Sequence, residues 1–175
     1  AYSSIAHFGY LLIVLIALTG SEMASEAVTF YLAAYILTTL GAFTVIARVS
    51  RKDQQKSQIS EFEGLFWRNK IQATALTIAM LSFAGIPLTA GFMAKFFVIN
   101  VAIQGSHWFL LSALVIGSAI GIYYYLRIIF SMSKTSGNDI GFRDRSGDIT
   151  ALLLTVLILM LGSWPQPFIA FAGGL

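Results

Sequence analysis

Long apolar runs separated by short polar clusters set the pattern of this chain. Runs of about 20 apolar residues match the hydrocarbon thickness of a bilayer. The pattern predicts about five membrane helices, at residues 3–19, 26–49, 71–104, 107–133 and 149–164. Gly20-Ser21-Glu22 closes the first, the polar stretch 50–70 separates the second from the third, and Gly105-Ser106 makes a tight turn. Residues 136–148 read as a polar, glycine-bearing loop. Trp164-Pro165-Gln166-Pro167 ends the fifth helix, because proline cannot continue a helix and tryptophan favours the membrane interface. The fold class is all-α integral membrane, with residues 1–175 as a single membrane domain.

The third segment does not fit one straight helix. Its 34 residues would measure about 51 Å, against a hydrocarbon core of about 30 Å. Gly85, Pro87 and Gly91 supply a place to break it. Proline removes a backbone donor and clashes with the preceding turn, so carbonyls there lose their partners. Irregular backbone at membrane depth persists only where it is buried in protein or lines a wet cavity. The simpler alternative is a proline kink in a long tilted helix.

Composition agrees with the pattern. The chain is 57% hydrophobic and 11% charged, with mean hydropathy +0.79, whereas soluble domains carry about 25% charged residues. With no cysteine, disulfides, thiolate metal sites and iron–sulfur clusters are excluded from this stretch. The start lacks a basic signal-peptide region and an initiator Met, which leads us to expect a processed or partial chain.

The cations orient the helices. Arg48, Arg51, Lys52, Lys56, Arg68 and Lys70 lie between the second and third spans, and Arg127, Lys134, Arg143 and Arg145 lie at or after the end of the fourth. By the positive-inside rule these loops and the N-terminus are cytoplasmic, and the C-terminus lies across the membrane. Ten of eleven cations obey that rule. The exception is Lys95, within the otherwise uncharged run 71–104.

An ionisable residue inside a span costs about 3 kcal/mol on insertion scales and marks a functional site by default. A helical side chain leans toward its own N-terminus. Lys95 is therefore expected to reach back over Gly91, which leaves room for its stem, toward carbonyls freed around Phe83 to Gly85. The partial negative charge of a helix C-terminus favours a cation there, while burial disfavours any charge. A lysine held between these effects can exchange a proton when a neighbouring charge changes. The bland alternative is a lysine that snorkels to the interface.

His7 is the second polar candidate. Ser3, Ser4, His7 and Tyr10 share a stripe of the first helix and form a possible proton relay. The competing reading is a buried histidine that only joins two helices. His107, beside Trp108, reads as an interfacial residue. Gly117-Ser118-Ala119-Ile120-Gly121 suits close helix packing, and Tyr123, Tyr124 and Tyr125 with Arg127 read as an aromatic belt with a snorkelling cation. Ser60 to Glu63 matches a capping box, opening a short interfacial helix with Phe62, Leu65, Phe66 and Trp67; a docking surface is the alternative. All eight acidic residues fall in loops or at span ends. No phosphate-binding glycine loop, dinucleotide fingerprint or nucleophile elbow is present, so no catalytic, cofactor-binding or metal site is expected.

Two stretches carry a resemblance. Ala1-Tyr2-Ser3-Ser4-Ile5-Ala6-His7 and Leu81-Ser82-Phe83-Ala84-Gly85-Ile86-Pro87-Leu88-Thr89-Ala90-Gly91-Phe92-Met93-Ala94-Lys95-Phe96 resemble the antiporter-like membrane subunits of respiratory complex I. Tyr123-Tyr124-Tyr125-Leu126-Arg127 and Trp164-Pro165-Gln166-Pro167 favour one branch of that family, the bacterial subunit N or mitochondrial subunit 2 type. The resemblance implies about fourteen membrane helices with inverted repeats, each holding one broken helix. This chain would be the C-terminal fragment of such a subunit.

The resemblance also implies a non-redox, proton-translocating subunit of NADH:quinone oxidoreductase in the bacterial cytoplasmic membrane. Lys95 matches the broken-helix lysine of the outward proton path, and His7 matches a histidine of the central polar axis. The implied partners are the other membrane subunits, the protein's own N-terminal helices and lipid. Flavin, iron–sulfur clusters and quinone would belong to partner subunits, and no nucleic acid is implied. Two alternatives stay open: a multi-subunit cation/proton antiporter, or a structural subunit in which Lys95 is a buried ion-pair partner.

Overall fold

The computed structural model describes residues 1–17, 23–49, 59–134 and 145–172. Among these described residues, eight α-helices follow one another: α1 Tyr2–Ala17, α2 Met23–Val49, α3 Leu65–Arg68, α4 Lys70–Ala84, α5 Ala90–Gln104, α6 Trp108–Ser133, α7 Arg145–Ser163 and α8 Gln166–Ala172. Four of the six longer helices run within a few residues of the expected spans, and the third span is divided between the other two, α4 and α5. Each half has 15 residues, or about 22 Å, too short to cross a bilayer alone. The two halves make one crossing with a gap.

α2 is the central post, touching α1, α4, α5 and α7. Alanines make that packing close: Ala24, Ala27, Ala34, Ala73, Ala79, Ala90, Ala94 and Ala102 are all buried. Small residues let helix backbones approach where lipid removes any hydrophobic drive between helices. Two apolar clusters result. One gathers α1, the first half of α2, and α5 around Phe30, Val98 and Val101. The other gathers the ends of α2 and α6 with α3 and α4 around Val45, Leu65, Leu76 and Met132. The gap between α4 and α5 falls between the clusters. Outward faces keep large apolar residues exposed, as at Phe8, Phe109, Ile120 and Leu153.

Several expectations are corrected. α7 begins four residues before the expected span, so Asp148 lies in its first turn instead of a loop. Asn69 and Gln72 side-chain amides both donate to Asp148 Oδ1, at 3.0 and 3.1 Å, and these bonds draw the start of α7 against the start of α4. The Ser60–Glu63 stretch does not open the short α-helix directly. Ile59–Phe62 is a 3-10 turn, and α3 starts after Gly64, which holds a left-handed φ of 72°. Arg68 closes this turn by donating to the Glu61 and Glu63 carbonyls at 2.7 and 2.9 Å. After the proline stop, α8 restarts as the Phe168 and Ile169 N–H groups return to the Pro165 carbonyl. The predicted joint Gly20-Ser21-Glu22 lies outside the described residues, as does the expected loop before residue 145.

Candidate functional site

Gly85, more than Pro87, decides where α4 stops. It adopts φ 80°, ψ 41°, a left-handed conformation that glycine enters without steric cost. Its N–H bonds the Ser82 carbonyl at 3.0 Å, and the Ile86 N–H bonds the Leu81 carbonyl at 3.0 Å. This paired closure is a Schellman motif, and it satisfies two of the four terminal carbonyls. Those of Phe83 and Ala84 remain. In a continuous helix their donors would be the N–H groups of residues 87 and 88. Residue 87 is proline, with no N–H, and Leu88 has turned to φ 74°.

Lys95 takes both carbonyls. Its Nζ donates to Phe83 O at 3.0 Å and Ala84 O at 3.1 Å, and the residue is only 8% exposed. The ammonium also stands 5.5 Å from the centre of the Tyr10 ring, a cation–π distance. The Lys95 stem meets the first glycine of the break. It lies against Gly85, where an added Cβ would meet Lys95 Cδ at 2.9 Å and Nζ at 3.2 Å. Gly91 serves a different contact: a Cβ there would fall 1.9 Å from the Ser82 carbonyl oxygen. Its N–H bonds Ser82 Oγ at 3.0 Å, and Ser82 Oγ in turn pairs with Thr38 Oγ1 at 2.9 Å. Ser82 therefore caps α5 from the neighbouring half-helix.

His7 is buried beside this site. Its Nδ1 pairs with Tyr31 Oη at 2.8 Å, and Tyr125 Oη stands 3.4 Å from Nε2. Rings of Tyr10, Tyr35 and Phe83 surround the imidazole at centroid distances of 5.3–5.7 Å. Three groups of the α1 polar stripe, Ser3, Ser4 and His7, each pair with a tyrosine of another helix. Ser3 pairs with Tyr125, and Tyr35 donates to Ser4 at 2.9 Å. Tyr125 is thus no belt residue. It stacks on Phe83 at 5.7 Å, while Tyr123 and Tyr124 face outward.

His7 and Lys95 line one cavity of about 670 Å³ between α1 and α6, with Tyr10, Phe83, Ser118 and Tyr125 among its walls. Tyr10 and Phe83 touch both candidate groups. His107 stands apart, at the start of α6. Among the described residues no cluster of histidine and acidic side chains could hold a metal.

This arrangement has known counterparts. The profile of the NADH:quinone oxidoreductase/Mrp antiporter transmembrane family matches residues 1–121. The chain belongs to that family. Over 97% of its length it superposes on a chain of respiratory complex I from Thermus thermophilus, with 30% identity and a TM-score of 0.80. It has the same fold as a chain of the archaeal membrane-bound sulfane sulfur reductase, at 22% identity, 97% coverage and TM-score 0.81. A chain of the Mrp complex from Dietzia sp. DQ12-45-1b gives 19%, 99% and 0.83. The chain spans 38–40% of the length of those three. It is an all-helical, multi-pass, antiporter-like membrane chain.

Sequence reasoning passed over Ser82, Thr38, Tyr31 and Tyr35. Ser82 had a local signal, since it lies nine residues before Gly91 across a predicted break. The tyrosines of α2 had none, because no spacing within α2 tells that α1 presents a histidine to it.

Proposed function

We propose that this chain is part of a proton-translocating membrane subunit of NADH:quinone oxidoreductase, of the subunit N (mitochondrial subunit 2) type, with Lys95 in the proton path. The observation that carries the reading is the pair of carbonyl bonds made by Lys95 at the wall of a cavity. An ammonium has three N–H donors, and two of them are bound to Phe83 and Ala84. Loss of the third proton leaves an amine whose two remaining N–H groups still satisfy both carbonyls. Either protonation state therefore keeps the break intact, and no buried acceptor is orphaned when the proton leaves.

In this mechanism Lys95 holds a proton within the membrane and releases it outward when positive charge arrives on another lysine of the complete subunit. His7 and its tyrosines form the lateral polar connection. Redox chemistry, with its flavin, iron–sulfur clusters and quinone, belongs to partner subunits. The basic loops and the N-terminus face the cytoplasm of a bacterial cell and the C-terminus faces the periplasm. The 30% identity to a complex I chain, against 19% to an Mrp chain, supports the redox-driven complex over the cation/proton antiporter.

Lys95→Met in the complete complex tests this. Proton translocation coupled to quinone reduction should fall at least about tenfold, the loss of about 1.4 kcal/mol in the transport barrier. Intact coupled translocation in an assembled Lys95→Met complex removes Lys95 from the path. Co-purification of the protein without flavin or iron–sulfur subunits would favour the antiporter.

A further inference from the structure

α7 lies beyond the segment matched by the family profile, yet it holds both ends of the structure around the break. Near its start, the buried Asp148 carboxylate accepts the Asn69 and Gln72 amides. Asn69 is itself the N-cap of α4, its Oδ1 accepting the Ile71 and Gln72 N–H groups at 3.1 and 3.2 Å. Near its end, Gly162 rests on the break. A Cβ at Gly162 would lie 2.2 Å from the Thr89 carbonyl carbon and 2.6 Å from the Leu88 carbonyl oxygen. Between these points Ile158 is 1% exposed and packs against α2 at Gly41.

The contact at Gly162 bears on the lysine. Leu88 is the residue whose N–H would otherwise serve the Ala84 carbonyl, and it is held at φ 74°, a conformation a branched side chain rarely adopts. Thr89 is the N-cap of α5, so its position sets where α5 begins and where Lys95 starts its reach. The backbone of α7 thus fixes the residues that separate the Lys95 ammonium from its carbonyls.

We propose that α7 is a brace for the broken helix, with Gly162 and Asp148 as positioning residues that set the register of Lys95 against Phe83 and Ala84. Gly162 sets the width of the gap, and Asp148 anchors the far end of α4, so the two half-helices cannot slide independently. This inference rests on the reading of Lys95 as the proton carrier.

The test uses the complete complex in membrane vesicles, with assembly followed on native gels. Gly162→Ala must push Leu88 and Thr89 away by roughly 1 Å, since ordinary contact begins at 3.4 Å. The expected result is an assembled complex whose proton translocation falls about tenfold, equivalent to weakening one charge-assisted hydrogen bond. Its pH profile should also move by about half a unit or more, because each carbonyl bond is stronger to the ammonium than to the amine. Gly9→Ala, at a site where a Cβ would meet nothing within 4 Å, should change neither. Unchanged translocation in Gly162→Ala, or a lower rate on an unmoved pH profile, overturns the proposal.

If Gly162→Ala fails to assemble, Asp148→Ala loosens the brace without steric intrusion and is expected to show the same two effects. Failure of both to assemble would assign α7 to folding alone and overturn the positioning role. Lys95→Met is measured in parallel. Full translocation there removes the proton-path reading, whereas a normal Gly162→Ala beside an inactive Lys95→Met removes only the brace.

Discussion

Substituting alanine for each of the two glycines at the break should produce opposite failures. At Gly85 the backbone sits at φ 80°, which costs a residue with a Cβ about 1–2 kcal/mol. The new methyl would also meet Lys95 Cδ at 2.9 Å. That atom belongs to a flexible side chain, so the lysine yields while the helices stay. Its displaced ammonium loses at least one carbonyl, and a hydrogen bond to a charged group contributes about 1.5–3 kcal/mol. The combined effect is on the order of 3 kcal/mol locally, tolerable for a span held on several sides. At Gly91 the methyl would lie 1.9 Å from the Ser82 carbonyl oxygen, a backbone atom that cannot swing away. α4 and α5 must part by more than 1 Å, breaking the bond from the Gly91 N–H to Ser82.

Gly85→Ala is therefore expected to assemble at near-normal levels with proton translocation down about tenfold or more. Gly91→Ala should be depleted from assembled complexes before any transport defect can be read. Native-gel assembly and translocation per assembled complex, measured in the same vesicles, separate the two. Normal transport in Gly85→Ala, or normal assembly in Gly91→Ala, would refute the division of labour between the glycines.

Three further substitutions probe the surrounding shell. Asp148→Asn keeps an oxygen able to accept both amides, so assembly should hold. Asp148→Ala removes the acceptor that the Asn69 and Gln72 side-chain amides share, at about 1–3 kcal/mol each, and should lower the unfolding temperature of the complex; equal damage by both would mean that the charge matters and not the acceptor. Ser82→Ala orphans the Gly91 N–H and the Thr38 hydroxyl, a loss of about 1–2 kcal/mol that should appear as faster detergent inactivation. Lys134→Ala removes an exposed ion pair with Glu63, formed at 3.2 Å, and should change stability by less than about 0.5 kcal/mol with no shift in unfolding temperature.

The spans and the break were legible because their causes are local. Twenty apolar residues, a Gly-x-Pro and a turn glycine act within their own stretch of backbone, so the sequence shows them directly. The direction of Lys95 was legible for the same reason, since every helical side chain leans toward its N-terminus. Its contact with Gly85 was not. Gly91 lies four residues before Lys95 and shares its helix face, which is what spacing reports. Yet a lysine stem is long enough to reach Gly85, and Gly91 is needed where α5 crosses the Ser82 backbone.

The surroundings of His7 and the brace by α7 depend on which helices become neighbours, and nothing local encodes that. In a bilayer, helix pairing is set by small residues that permit close approach and by polar groups that find partners. Both look unremarkable in sequence. Gly162 reads as one more glycine near a helix end until α7 lies on the break, and Asp148 reads as a loop acid until Asn69 and Gln72 are opposite it. Tyr125 differs from Tyr123 and Tyr124 only in the direction its position on α6 gives it, which is toward Ser3 and Phe83. Polar residues near such a break are therefore better judged by asking which buried carbonyl or amide lacks a donor or acceptor. Phe83 and Ala84 pose that question at Gly85 and Pro87, and Lys95 answers it.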